Sequence, residues 1–262
     1  MKGSFFWRTL IIIAASFLLV LGSVFGVSYY TSVESMKQQT LAAANKNLDM
    51  ISVYIDMTMD KLTKSMYQYD RSEILFSSDN EAINEFIKSY ADAYSEIGCA
   101  MLIDLDRIVA IDKPILLSNN TINTSIYYKM SEENRLVITS PFYSEALGSR
   151  VIAIIRSLRN SETGHDLLLV AEIRPQSLFY PLVAKLSENE TLIVLTPDGD
   201  TVYFNVSSPQ LGELVVNEER LDINQNLRSQ LVGLNTGSNE ILIDNNKMMV
   251  RRLRYNQRWN LF

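Results

Sequence analysis

The 262-residue chain has a single cysteine, Cys99, and a single histidine, His165. One cysteine excludes an intrachain disulfide, and one Cys with one His cannot assemble a zinc cluster. Cys99 lies in an apolar run and reads as a buried structural thiol. His165 lies in the polar stretch Ser161-Glu-Thr-Gly-His-Asp166 and reads as a surface turn residue. A serine hydrolase would need that histidine and a G-x-S-x-G elbow, which is missing. H-E-x-x-H, a Walker A run and G-x-G-x-x-G are missing as well. Two carboxylate pairs exist, Asp104 with Asp106 and Asp198 with Asp200, but both fall at turns, where solvation explains them. A catalytic pair needs a cleft that separates its pKa values. A divalent ion at Asp198 and Asp200 is the rarer alternative. The chain also lacks a basic surplus: 24 Lys and Arg stand against 30 Asp and Glu, for a net charge of -6. No stripe for nucleic acid follows from that balance. The region is therefore expected to be no enzyme, with no cofactor and no resident metal.

Charge is missing altogether from Thr9 through Ser32. The run Leu10 to Val27, LIIIAASFLLVLGSVFGV, is eighteen residues long, which at helical rise gives about 27 Å, close to the hydrocarbon thickness of a bilayer. Tyr29 and Tyr30 follow where interfacial tyrosines are favoured. A cleaved secretory signal is the competing reading, but the run is long for one and no clean A-x-A site follows Tyr30. Lys2 and Arg8 precede the span, and positive flanks stay cytoplasmic. The expectation is a cytoplasmic N-terminus (1–8), a transmembrane helix (9–30) and everything after it outside a cell membrane.

Val33 to Tyr69 contains no Gly and no Pro. Apolar residues recur at Leu41, Ala44, Leu48, Ile51, Ile55, Met59, Leu62, Met66 and Tyr69, in steps of three and four that predict one long helix (31–72). Its stripe has two possible covers: its own domain distally, and a second subunit near the membrane. Ser78, Asp79 and Asn80 are cap candidates for a short helix from Glu81 to Tyr94. Beyond it the period changes. Strands are predicted at Cys99–Asp104, Ile108–Ile111, Leu136–Ser140, Arg150–Leu158 and Leu167–Ile173, with Asp112–Ser131 irregular around Asn119, Asn120 and Asn123, a loop at Asn160–Asp166, and a helix from Pro175 to about Leu186. A second cycle opens at Thr191–Thr196, turns at Pro197-Asp-Gly-Asp200 and returns at Thr201–Phe204. A short helix capped by Asp222, a turn at Gly237 and Ser238, a hairpin closed by Asp244-Asn-Asn246 and a last strand at Trp259 complete it. The two strand–turn–strand openings are an internal echo, so two related α+β units are expected, at 73–186 and 187–262.

This order resembles the extracellular double-Cache (tandem PAS-like) sensing region of bacterial transmembrane sensor histidine kinases and membrane-anchored AraC-type regulators. The anchor, the helix ending in Leu62, Met66 and Tyr69, and the Ile97-to-Ile111 opening carry the likeness. So do the Leu167-Leu-Leu-Val-Ala-Glu-Ile-Arg-Pro175 strand leading into a helix, the Ile193–Val202 hairpin and the closing Trp259-x-Leu261. The resemblance implies a membrane-distal unit at 73–186 holding the ligand and a membrane-proximal unit at 187–262. It also implies a homodimer through the Val33–Tyr69 helix, a second span after Phe262, and relay to a cytoplasmic kinase or DNA-binding output domain. Many Cache domains that bind amino acids use a Tyr, Arg, Trp, Tyr and Asp set. That set is not matched here, since no tryptophan lies between Trp7 and Trp259.

Ligand residues follow from placement over the distal sheet. Tyr127 and Tyr128 fall on the loop side with Phe142 and Tyr143, while Arg156 and Arg159 end a central strand. An aromatic wall with one arginine suits a small anionic or sugar-like ligand. The expected contacts are Tyr143 and Arg156, with Tyr128 and Phe142 beside them. The partner is a small extracellular molecule or a solute-binding protein. The alternative is a membrane-anchored structural or docking ectodomain that binds no small molecule.

Overall fold

One α-helix, α1, runs from Gly3 to Gln68. The structure is a computed structural model and describes residues 3–69, 73–105, 107–112, 122–131, 135–159, 166–184, 186, 190–205, 215–217, 222–243, 246–255 and 259–261. Lys2, Asp106, Asn119, Asn120, His165, the loop after Arg159, and Asp244 with Asn245 in the last hairpin therefore lie outside the described residues. The chain divides into two compact units, Met1–Asn47 and Leu48–Phe262.

The first unit is the N-terminal part of α1. It is long and apolar enough to cross a membrane by length and composition, and its apolar window is not buried. The hydroxyls within it bond their own backbone: Ser16 Oγ donates to Ile12 O at 2.8 Å, Ser23 Oγ to Val20 O at 2.8 Å, and Thr31 Oγ1 to Val27 O at 2.9 Å. Such back-bonding satisfies a hydroxyl where no water is at hand.

The second unit begins where the periodic stripe becomes covered. Leu48, Ile51, Ile55, Met59, Leu62 and Met66 are all buried in the largest apolar cluster, so this part of the stripe seats the chain's own domain. After a 3-10 turn at Glu73–Phe76, α2 (Asn80–Asp92) is capped by Asp79, whose carboxylate accepts from the N–H groups of Glu81 at 3.0 Å and Ala82 at 3.1 Å. Its Ile83, Ile87 and Tyr90 join the same cluster.

The first sheet contains β1 (Ile97–Asp104), β2 (Arg107–Ile111), β3 (Leu136–Ile138), β4 (Phe142–Ser144), β5 (Ser149–Arg159) and β6 (Asp166–Ile173). All its pairs are antiparallel, in the order β2-β1-β6-β5-β3, with β4 also on β5. The alternation of strand side chains splits its residues between two cores. Ala100, Leu102, Ile152, Ile154, Leu169 and Ala171 face the cluster of α1 and α2. Cys99, Met101, Ala153, Ile155, Leu168 and Val170 face a second cluster, under α3 (Ser125–Ser131).

That helix corrects the expectation of an irregular Asp112–Ser131. Asn123 Oδ1 accepts from Ser125 N at 3.2 Å and from Ser125 Oγ at 2.6 Å, and Tyr127 is buried beneath it. Seven residues carry too little periodicity to show in sequence; the cap and one buried tyrosine hold them.

Pro175 opens α4 (Pro175–Val183), which ends three residues before the expected Leu186. Phe179 of α4 stacks on Tyr203 with ring centroids 4.9 Å apart, carrying the main cluster to the second sheet. That sheet holds β7 (Ile193–Leu195), β8 (Thr201–Phe204), β11 (Gly237–Ile243), β12 (Asn246–Tyr255) and β13 (Trp259–Leu261), in the order β11-β12-β13-β7-β8. A two-stranded ribbon, β9 (Val215–Asn217) with β10 (Asp222–Ile223), precedes α5 (Gln225–Val232). Numbering only the strands on each main path, with β4, β9 and β10 set aside, both sheets read 2-1-5-4-3, with the opening hairpin at one edge and the last strand beside the first. The internal echo is a repeated topology.

Two further details differ from the sequence reading. The cap of α5 is Asn224, whose Oδ1 accepts from Asn226 N at 2.8 Å, because Asp222 is taken into β10. Gly237 and Ser238 belong to β11, because the ladder with β12 reaches Arg252 opposite Gly237. The Pro197 turn holds: Gly199 N donates to Thr196 O at 2.9 Å, Thr196 N to Asp200 O at 2.8 Å, and Gly199 takes φ +86°. Phe179→Ala is expected to lower unfolding stability by about 3–5 kcal/mol, the cost of an aromatic cavity in a core. Equilibrium urea unfolding read by near-UV circular dichroism checks it, and a loss under about 1 kcal/mol would mean the stack with Tyr203 is not formed.

Candidate functional site

The sequence places one acid inside an apolar strand, Glu172 of β6. It stands directly opposite Cys99 of β1 and Ala153 of β5. Residues opposite one another in a ladder share a face, and both of these are small, so the glutamate side chain has room between them. Glu172 is 0% exposed.

Two hydroxyls from different elements meet it. Tyr127 Oη of α3 donates to Glu172 Oε1 at 2.6 Å. Ser144 Oγ, at the end of β4, donates to Oε2 at 2.6 Å and accepts from Leu147 N at 3.1 Å. The β4–β5 turn closes over Gly98, where an added Cβ would meet Leu147 Cδ1 at 2.8 Å. Opposite Ser144 on β5, the Ser149 hydroxyl oxygen is buried and has no hydrogen-bond partner among the described residues. A buried orphan of that kind gains a bond from any polar group that reaches it.

The electrostatics are one-sided. Asp112, whose Oδ1 accepts from Ala100 N at 2.9 Å, acts on Glu172, and Glu145, whose Oε2 accepts from Asn123 N at 2.9 Å, acts on Tyr127. Among the described residues no Lys, Arg or His pairs with Glu172. Burial pushes its carboxyl above the ordinary carboxylate range; the two hydroxyls pull the other way, and Asp112 pushes it up further. Burial, then the Glu172 charge, pushes the Tyr127 phenol up as well. A buried acid held by neutral donors, with acidic neighbours and no counter-ion, carries a desolvation cost that either a proton or a cation relieves.

The four residues expected from placement do not converge. Phe142 borders this cluster, edge-on to Tyr127 with centroids 5.9 Å apart. Tyr128 ties the β1–β2 turn: its Oη accepts from Leu105 N at 2.8 Å and donates to Asp166 O at 3.1 Å, beside a leucine at φ +49°. Tyr143 alternates outward between Phe142 and Ser144 and is 66% exposed. Arg156 stands on the opposite face of the sheet from Glu172, 4% exposed, with its guanidinium carbon 3.8 Å from the centroid of the Tyr67 ring on α1. The aromatic wall and the arginine are therefore separated by the sheet. Glu172 itself was missed, although an acid interrupting Leu167-Leu-Leu-Val-Ala was a visible signal.

No family model and no curated protein matches the sequence. Solved structures do. An extracellular ligand-binding receptor from Desulfohalobium retbaense is 14% identical with TM-score 0.57, over 82% of this chain; the chain spans 38% of that receptor's length. The ligand-binding domain of the Pseudomonas aeruginosa amino-acid chemoreceptor PctC, in complex with GABA, is 12% identical with TM-score 0.60, over 85% of this chain and 98% of that one. The sensory domain of the Campylobacter jejuni chemoreceptor Tlp3, with isoleucine bound, is 12% identical with TM-score 0.60, over 87% and 92%. The tandem Cache-like, α+β architecture is thus the fold of sensor domains.

The pH dependence of stability follows from Glu172. Its folded-state pKa is raised, so its contribution is full below the ordinary carboxylate pKa and is lost as pH rises through the raised value. Glu172→Gln cannot ionise. The Tm of this variant, relative to wild type at the same pH, is expected to climb as pH goes from about 4 to about 7. A pH-independent difference in differential scanning calorimetry would show that Glu172 titrates normally.

Proposed function

We propose that this chain is the input region of a membrane receptor, and that it senses a small amine-bearing solute held at Glu172. The observation that carries the reading is a fully buried carboxylate with hydroxyl donors and no cationic partner among the described residues. An ammonium group supplies the missing charge and up to three donors. Tyr127 and Ser144 orient the carboxylate, the Ser149 oxygen accepts, and Phe142 walls the apolar side. The fold supports the reading, because GABA and isoleucine, the ligands of two domains that share it, both carry an ammonium group. The cluster also favours a cation over the anionic or sugar-like ligand suggested by sequence.

Entry of the amine displaces or realigns α3 and the β4–β5 turn on one face of the sheet. The same three central strands pack α1 on the other face, so a shift in strand position reaches the helix that carries the apolar span. A ligand moves such an equilibrium only by its differential affinity for the two states. The test is a thermal-shift series on the full chain in detergent micelles with GABA, L-isoleucine, glucose and succinate. An amine at about 100 times its Kd stabilises by about 2.7 kcal/mol and raises Tm by about 5–10 °C in a unit of this size. A response to glucose or succinate with none to either amine would sink the reading.

Two copies pair along α1 in the same proposal. Its buried stripe is taken by the chain's own core, but Met50, Val53 and Met57, three and four residues apart, are exposed on another face. Met57→Cys is expected to give an oxidised dimer in membranes, while Ile55→Cys, fully buried, is expected to give none. Absence of cross-linking at positions 50, 53 and 57 alike would remove α1 as the dimer seam.

A further inference from the structure

The charged residues buried in the described structure are satisfied in three different ways. Glu96 receives Lys61 Nζ at 3.2 Å. Arg156 lies on an aromatic face. Glu172 has only neutral hydroxyl donors, and its titratable neighbours are acids.

Every element packed on Glu172 adds to that picture. From α3 comes Tyr127, from β4 Ser144, from β1 the thiol of Cys99 and from β5 the methyl of Ala153. Asp112, at the end of β2, and Glu145, in the β4–β5 turn, are the carboxylates of the cluster. The nearest cation on this face is Arg174, whose stem passes over Gly98, but it is exposed and does not act on Glu172. The network also accepts either protonation state without moving the backbone. Ser144 Oγ already takes the Leu147 N–H, and a hydroxyl has a second lone pair. A proton on Glu172 Oε2 is then donated to Ser144 Oγ, 2.6 Å away, in place of the reverse bond.

Resting on the amine reading above, we propose that occupancy of this site is proton-linked: a proton and the ammonium group compete for the Glu172 carboxylate, so the receptor responds to its ligand according to the pH outside the membrane. Binding to the protonated site is an exchange. The carboxyl proton passes to bulk buffer, the carboxylate forms, and the ammonium pairs with it; no bond other than O–H breaks. Burial already holds the free carboxyl above its ordinary range, and a bound cation brings it down. Between those two values affinity rises with pH, by up to about tenfold per pH unit for one exchanged proton, and above the free-site value it levels off. An alkyl ammonium stays charged throughout, since it titrates near 10.

Isothermal titration of the full chain in detergent micelles with GABA, between pH 5 and pH 8 in buffers of differing ionisation enthalpy, tests this. The expected result is release of a fraction of a proton approaching one at the acid end, none at the alkaline end, and an affinity that climbs and then plateaus. Tyr127→Phe removes one donor that favours the ionised form, so the midpoint of the climb is expected to move to higher pH; a purely structural tyrosine would weaken binding without moving it. Glu172→Gln, if folded, is expected to bind weakly and independently of pH. Pairing of GABA with constant affinity and no proton release would overturn the linkage and leave amine sensing standing. No heat from GABA at any pH, in a sample that unfolds cooperatively, would overturn both.

Discussion

The central strands of the first sheet are buried on both faces. Strands β1, β6 and β5 run between the cluster of α1 and α2 on one side and the cluster under α3 and β4 on the other. Everything else answers to that constraint. The strands must be apolar at successive positions rather than alternate ones. The distal part of α1 must offer one buried stripe, and the second face must be closed by a seven-residue helix and a tight turn. Any polar side chain that enters must find all its partners from protein atoms or from a guest, because an unpaired group there costs far more than at a surface.

Glu172 and Arg156 show how the same strands meet that demand on their two faces. Arg156 turns toward α1 and lies on the Tyr67 ring, a contact that suits a weakly hydrated planar cation. Glu172 turns toward α3 and takes two hydroxyls that are neutral and can be given up or reversed. The first arrangement fastens helix to sheet. The second leaves a buried acid without a counter-ion among the described residues, on the face of the sheet that α3 and β4 cover. Glu172 and the packing of α1 are thus back to back on the same strands, on opposite faces of one sheet.

Much of this was legible in the chain. The stripe from Leu48 to Met66, the Asp79 cap, the Pro175 helix start and the Pro197-Asp-Gly-Asp turn are local signals, each set by a few neighbouring residues, and each is present. The helix α3 was not legible, because its stability comes from Tyr127 being drawn under it and not from its own period. Arg156 could be placed on a central strand but not on a face of the sheet relative to Phe142, because β4 joins that strand through its own short ladder, off the main path. Glu172 lies within an apolar strand motif, yet its partners lie 28 and 45 residues away in sequence.

The amino-acid sequence by itself determined the apolar span, the helix that continues it and the two α+β cycles, since periodicity, charge and residue type act over short distances. Tertiary structure alone decided which face of the sheet each polar side chain occupies and who meets it there. The reason is physical: side chains alternate every residue along a strand, so a long-range pairing sets whether an acid is solvated, paired or, as with Glu172, sealed in with two hydroxyl donors.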